Sequence, residues 1–275
     1  MRSLTPGAVR DLLAAHDRRP SRALGQHFLA DPNLARKIVR LADVHEGDRV
    51  LEIGPGIGSL TVALAETGAH GVALELDRHL LPVLDDVLDG APNVDVAQGD
   101  ALVVDLDALM GTREWACVSN LPYNVATPMV VRLLEEFPAM SRCLVMVQRE
   151  VGERLVAGPG TKAYGAVSLK VAYYANARIM DTVAATVFVP PPNVASALVR
   201  FDRHEAPPVQ VPSPDALFHL VRTGFAQRRK TLRRALAPAL GPRTEAVLAA
   251  AGIDGRARAE ALDLDDWARV CREAA

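Results

Sequence analysis

Arg49-Val50-Leu51-Glu52-Ile53-Gly54-Pro55-Gly56-Ile57-Gly58 reads as a short β-strand that turns sharply into a helix opening near Leu60. Glycines at such a turn let the backbone double back and let a ligand approach it closely. Working outward, Gly71 to Leu76 is a second strand, and Leu80 to Leu88 reads as a helix. Val94–Ala97, Ala116–Ser119 and Leu144–Gln148 are further β-prone runs separated by helical stretches. Alternation of this kind calls for a parallel sheet covered by helices on both faces. Two late runs, Thr182–Val189 and Ala195–Phe201, have no helix between them and are expected to pair antiparallel at the sheet edge.

Upstream, Asp31-Pro32 marks a helix start, with Asp31 as cap and Pro32 at the first helical position. Residues 1–22 read as a short helix followed by a lead-in. Downstream, residues 204–215 carry Pro207, Pro208, Pro212 and Pro214 without periodicity and read as a linker. The expected organisation is therefore an α/β Rossmann-like domain over 1–203, the linker, and a small all-helical domain of about four helices over 216–275.

The glycine turn alone is ambiguous, because dinucleotide-dependent dehydrogenases share this layout. Glu75 ends the second strand 21 residues after Gly54, where an acid can accept from both hydroxyls of a ribose. A dinucleotide fingerprint also requires glycine three positions after Gly56, and this chain has Ser59 there. An acid just before the first glycine, here Glu52, is the arrangement familiar in S-adenosylmethionine enzymes. Gly54 and Gly56 are thus candidate cofactor contacts. Asp100, after the third strand, is placed to accept from an adenine amino group.

Asn120-Leu121-Pro122-Tyr123 follows the fourth strand, at the carboxyl edge where open α/β sheets bind ligands. An adenine N6 amino group is a poor nucleophile because its lone pair is delocalised into the ring. Two acceptors holding its hydrogens, the Asn120 side-chain oxygen and the Pro122 carbonyl, would draw the nitrogen towards tetrahedral geometry and aim it at a sulfonium methyl. Tyr123 would stack on a base removed from its helix. Such chemistry needs no metal and no covalent nucleophile, because the sulfonium supplies its own leaving group.

Composition narrows the setting. Apolar residues make up 49%, enough for a proper core, and the net charge of −2 is too small to identify a partner. Cys117, Cys143 and Cys271 are far apart and form no CxxC pair, as expected of buried thiols in a reducing compartment. No apolar run approaches a bilayer span, so a cytoplasmic, monomeric protein without membrane attachment is expected.

These motifs, with several others, resemble the KsgA/RsmA family of ribosomal RNA small-subunit adenine dimethyltransferases. The likeness runs from about Leu24 beyond Leu236. It includes Leu24-Gly25-Gln26-His27-Phe28-Leu29, Gln148-Arg149-Glu150-Val151, Lys162-Ala163-Tyr164-Gly165 and Phe188-Val189-Pro190-Pro191-Pro192. The resemblance implies S-adenosylmethionine contacts at His27, Leu29, Gly54, Glu75, Asp100 and Asn120, and a second aromatic face for the base at Phe188. The family commonly has asparagine where this chain has His27. It also implies a substrate: two adjacent adenosines near the 3′ end of small-subunit (16S) rRNA, within a partly assembled 30S particle.

Arg222, Arg228, Arg229, Lys230, Arg233 and Arg234 fall in one helical stretch with no acid among them, the footprint of a phosphate-binding face. The alternatives are an Erm-like 23S rRNA adenine methyltransferase, which the Arg228–Leu232 segment argues against, and an adenine-N6 DNA methyltransferase. A non-catalytic ribosome-assembly factor is a further alternative; such a protein could lose Asn120 or the glycine loop, and this chain keeps both.

Overall fold

A computed structural model of the chain describes residues 4–21 and 24–275. Contacts divide it into two compact units, residues 1–152 with 178–203, and residues 153–177 with 204–275.

The first unit opens with α1 (Pro6–Ala15), β1 (Phe28–Leu29) and α2 (Pro32–Ala42). β2 (Arg49–Ile53), α3 (Ser59–Ala65), β3 (His70–Glu75), α4 (Leu81–Leu88) and β4 (Val94–Gln98) follow. Next come α5 (Leu106–Met110), β5 (Trp115–Asn120), α6 (Ala126–Glu136) and β6 (Met140–Gln148). After α7 (Arg149–Leu155) and α8 (Ala166–Tyr174), β7 (Ala175–Val183), β8 (Phe188–Val189) and β9 (Ser196–Arg203) complete the strands. Seven of them form one sheet in the order β4-β3-β2-β5-β6-β9-β7. β2, β3, β4, β5 and β6 run parallel, and β9 pairs antiparallel with β6. The order reverses direction between β2 and β5, which places the chain turns after both strands around one crevice.

The edge of the sheet corrects the expectation. β9 matches the run Ala195–Phe201, but Thr182–Val189 is not its partner strand. β7 ends at Val183, a 3-10 turn takes up Ala185–Val187, and Phe188–Val189 leaves the sheet to pair with β1. The strand beside β9 in the sheet order is therefore 175–183, whose half-exposed Arg178 and Asp181 hide its strand character from an apolar-run reading.

Helix ends show why the sequence folds as it does. Asp31 accepts from the Asn33 and Leu34 amides at 2.9 and 3.1 Å, capping α2 as expected. At its other end, carbonyls of Leu41, Ala42 and Asp43 accept from Arg200 and Arg142 on the neighbouring strands. The C-terminus of α6 is held the same way: Arg203 donates to the carbonyls of Leu133, Leu134, Phe137 and Met140 at 2.8–3.1 Å. Arg203→Ala leaves those four acceptors to water or to nothing. A loss of about 2 kcal/mol of stability is expected, measurable as a lower urea midpoint at unchanged slope.

The second unit contains α8, then α9 (Pro214–Ala226), α10 (Leu232–Ala235), α11 (Ala237–Leu240), α12 (Thr244–Ala250) and α13 (Leu264–Ala274). Its core joins Tyr164, Leu169 and Tyr173 to Phe218, Leu232 and Trp267. α9 and α13 approach so closely that a Cβ on Gly224 would lie 2.5 Å from the Trp267 ring. The sequence reading ends the first domain at 203 and counts everything before it as one body. Residues 153–177 instead belong with the C-terminal helices, because their aromatic residues fill that core, and residues 204–215 are part of the same unit.

Candidate active site

The turns after β2, β3, β4 and β5 line one pocket of the first unit. Gly54 and Gly56 stand at φ +67° and +60°, a region that disfavours side chains. A Cβ on Gly56 would meet the Phe28 ring at 3.0 Å, and one on Gly54 the Pro122 ring at 3.5 Å. The bare backbone of this loop is thus wedged between the lead-in strand and the Asn120–Tyr123 turn.

Glu75 secures the loop. One of its carboxylate oxygens accepts from the Gly56 amide at 2.9 Å and the other from the Asp77 amide at 2.8 Å. Each oxygen keeps lone-pair capacity towards the pocket it lines. Burial raises the Glu75 carboxyl above the ordinary range, and the two amide hydrogen bonds oppose the shift. Asp77 is tied in turn to Gln26 Nε2 at 3.0 Å, which fastens the lead-in to the same corner.

Glu52 is only 2% exposed, and its Oε2 has no hydrogen-bond partner. Burial pushes its carboxyl up to about 8; Thr61 opposes the shift and the nearby Glu75 charge adds to it. Glu52 is therefore largely protonated at neutral pH. The linkage has a definite sign. Because the folded value is raised, the stability tied to this proton is complete below the ordinary carboxylate range and is lost as pH rises through about 8. Glu52→Gln cannot ionise, so its Tm should match the parent at about pH 5 and exceed it increasingly up to about pH 9. A Tm difference independent of pH would contradict a buried neutral Glu52.

Asp100 keeps an Asx turn, accepting from the Leu102 amide at 2.9 Å, and lines the pocket with its loop. That loop is clamped from α6 by Arg132, which donates to the carbonyls of Ala101 and Val104. Leu29 also lines the pocket; its carbonyl accepts from the Ser59 hydroxyl.

At the other end, Asn120 Nδ2 donates to the His27 carbonyl at 3.2 Å, while Asn120 Oδ1 is buried without a partner. The Pro122 carbonyl already accepts from the Val125 amide at 3.1 Å, which leaves it one lone pair. Tyr123 is half-buried, its hydroxyl 2.7 Å from Ser196 Oγ and its ring stacked on His27 at 5.6 Å between centroids. His27, Leu29, Gly54, Gly56, Glu75, Asp100, Asn120, Pro122 and Tyr123 thus share one cavity.

Phe188 does not join them. It is 2% exposed, lies opposite Leu29 in the β1–β8 pair, and packs with Ile38, Leu60 and Leu198. The expected second aromatic face is a core residue, because β8 turns Phe188 towards the same interior as Leu29. Sequence reading also missed Ser196 and Arg132, whose roles depend on partners 73 and about 30 residues away.

The expected cationic helix is differently built. Arg222 sits on α9, Arg228, Arg229 and Lys230 on the turn after it, and Arg233 and Arg234 on α10. Acids arrive from elsewhere in the chain: Glu260 pairs with Arg228 at 3.0 Å and Glu245 with Arg233 at 3.0 Å. Arg222, Arg229, Lys230 and Arg234 are exposed, with no ion pair among the described residues. No helix is long and apolar enough to cross a membrane among the described residues, and the three cysteines are buried free thiols.

A doubly wound sheet with a glycine turn, an acid on the next strand and Asn-Leu-Pro-Tyr at the fourth defines a Rossmann-like methyltransferase. The chain belongs to the ribosomal RNA adenine dimethylase family, whose model matches residues 18–275. It is 43% identical over 280 residues to ribosomal RNA small subunit methyltransferase A of Pelotomaculum thermopropionicum, covering 97% of this chain and 95% of that one. The protein of the same name from Thermobifida fusca is 46% identical over 276 residues, covering 98% and 95%. Among solved structures, a dimethyladenosine transferase from Plasmodium falciparum matches with a TM-score of 0.74 at 23% identity, covering 89% of this chain and 96% of that one. The 23S rRNA methyltransferase ErmE matches with 0.70 at 24%, covering 90% and 98%; both likenesses establish the fold.

Proposed function

We propose that this chain transfers methyl groups from S-adenosylmethionine to N6 of two adjacent adenosines near the 3′ end of small-subunit rRNA. It would act in the cytoplasm, as a monomer, on a partly assembled 30S particle. The observation that carries the chemistry is the buried, unpartnered Oδ1 of Asn120, a residue that lines the same pocket as the glycine loop and Glu75. An acceptor left without a partner inside a protein calls for a donor, and an exocyclic amino group supplies one.

The residues fit the cofactor. Gly54 and Gly56, at positive φ and packed against the Pro122 and Phe28 rings, bring bare backbone to the pocket wall, Glu75 offers acceptors for ribose hydroxyls, and Asp100 offers one for an adenine amino group. When bound, S-adenosylmethionine supplies an electrophilic sulfonium methyl. The chain's own contribution is placement: Asn120 Oδ1 and the Pro122 carbonyl hold the N6 hydrogens, and Tyr123, fixed by Ser196, holds the base plane. Leu121 is buried, so the turn presents Asn120, Pro122 and Tyr123 as one rigid piece.

The choice of RNA is supported by the two near-full-length relatives, both called small subunit methyltransferases. The cations Arg222, Arg228, Arg229, Lys230, Arg233 and Arg234 are assigned to RNA phosphates, with the four outside ion pairs contributing most. Incubating the protein with methyl-labelled S-adenosylmethionine and separated, unmethylated ribosomal subunits tests the reading. Label should enter small-subunit RNA; label confined to large-subunit RNA would establish the Erm-like alternative instead.

A further inference from the structure

His27 is where four parts of the pocket meet. Its ring Nδ1 lies 2.8 Å from the Pro190 carbonyl, directly after β8. A carbonyl only accepts, so Nδ1 carries the proton, in the neutral ring as well as the charged one. The same ring stacks on Tyr123, 5.6 Å between centroids and 25° between planes. Its backbone carbonyl receives Asn120 Nδ2 at 3.2 Å, and that bond decides which way the Asn120 amide faces. The adjacent Phe28 closes against Gly56 and pairs with Val189.

We infer that His27 is a positioning residue for the base-accepting end of the pocket, bracing the Tyr123 ring and tying it to the Pro190 segment. The inference rests on the adenine-methylating reading given above and goes beyond the cofactor contact that the family resemblance implies. With Nδ1 engaged by Pro190, only Nε2 remains for any other partner. Tyr123 is then held twice, at one ring face by His27 and at the hydroxyl by buried Ser196. A base can stack only on the face that His27 leaves open, so the imidazole sets both the tilt and the depth of the platform. An asparagine at this position could keep a hydrogen bond to Pro190 but supplies no ring, so this chain gains a rigid backing for its tyrosine.

The test separates base placement from cofactor binding. His27→Ala, His27→Asn and His27→Phe are each titrated with S-adenosylhomocysteine by calorimetry. Each is also assayed for kcat and KM on small-subunit RNA, and mixed with a target helix carrying 2-aminopurine in place of the first adenosine. His27→Ala should leave the S-adenosylhomocysteine Kd within about twofold, lower kcat by ~10-fold or more, and weaken the stacking quench of 2-aminopurine. His27→Phe should recover most of the quench and of kcat, and His27→Asn less of both. Should His27→Ala fail to fold, the Phe and Asn variants carry the same comparison. A tenfold weaker S-adenosylhomocysteine Kd with kcat and quench unchanged would overturn the inference and make His27 a cofactor contact. No methylation by the parent protein would instead sink the proposed reaction, while the 2-aminopurine comparison would still judge His27.

Discussion

Asn120→Ala is expected to lower kcat for methyl transfer by ~10²–10³-fold, the effect of deleting one preplaced polar partner of a reacting centre. The geometry explains why so much rests on one side chain. Nδ2 is committed to the His27 carbonyl, so Oδ1 is the acceptor left without a partner, in a residue that lines the pocket. A buried acceptor without a partner costs the folded protein about 1–3 kcal/mol. Removing it offsets the loss of the Nδ2 bond to the His27 carbonyl, so the Tm of the ligand-free protein should change little. RNA affinity, assigned above to the exposed cations of the second unit, should also stay the same. Loss of activity together with loss of RNA binding would point to a collapsed fold rather than to a missing acceptor. Measuring kcat, Tm and RNA affinity on one preparation distinguishes the two.

Glu75→Ala should weaken S-adenosylhomocysteine binding by ~10²-fold or more, because it removes three things together. The Gly56 amide and the Asp77 amide lose their shared acceptor, and the ribose hydroxyls assigned to Glu75 in the proposed function lose theirs. Hydrogen bonds to a charged group contribute about 1.5–3 kcal/mol each, so loss of two corresponds to at least a hundredfold. Glu75→Gln should be intermediate, since its amide nitrogen must face one of two N–H donors. The pH dependence follows from the raised carboxyl. Only the ionised form accepts fully at both oxygens, so affinity of the parent should fall as pH drops through the raised value. Calorimetric titration over a pH series checks this, and an affinity independent of pH would contradict it.

How legible all this is in the sequence depends on whether a feature is local. The glycine loop, Glu75 and Asn120–Tyr123 are local: each is a short turn whose chemistry resides in consecutive residues at a strand end. The parallel core of the sheet is legible for the same reason, from strand–helix alternation. Features set by distant contacts are not. Phe188 looks like a base-stacking residue until its opposition to Leu29 turns it inward. The six cations look unopposed until Glu245 and Glu260 fold back onto two of them. Residues 153–177 look continuous with the sheet domain until Tyr164 and Tyr173 are seen in the helical core. Half-exposed β7 carries too little apolar patterning to be read as a strand, and nothing near Tyr123 in sequence announces Ser196.

The most direct measurement is nucleoside mass spectrometry of small-subunit RNA after reaction with the purified protein and S-adenosylmethionine. The proposed reaction predicts N6,N6-dimethyladenosine at two adjacent positions near the 3′ end. Unmodified adenosine there, from protein that binds S-adenosylhomocysteine normally, would contradict the account.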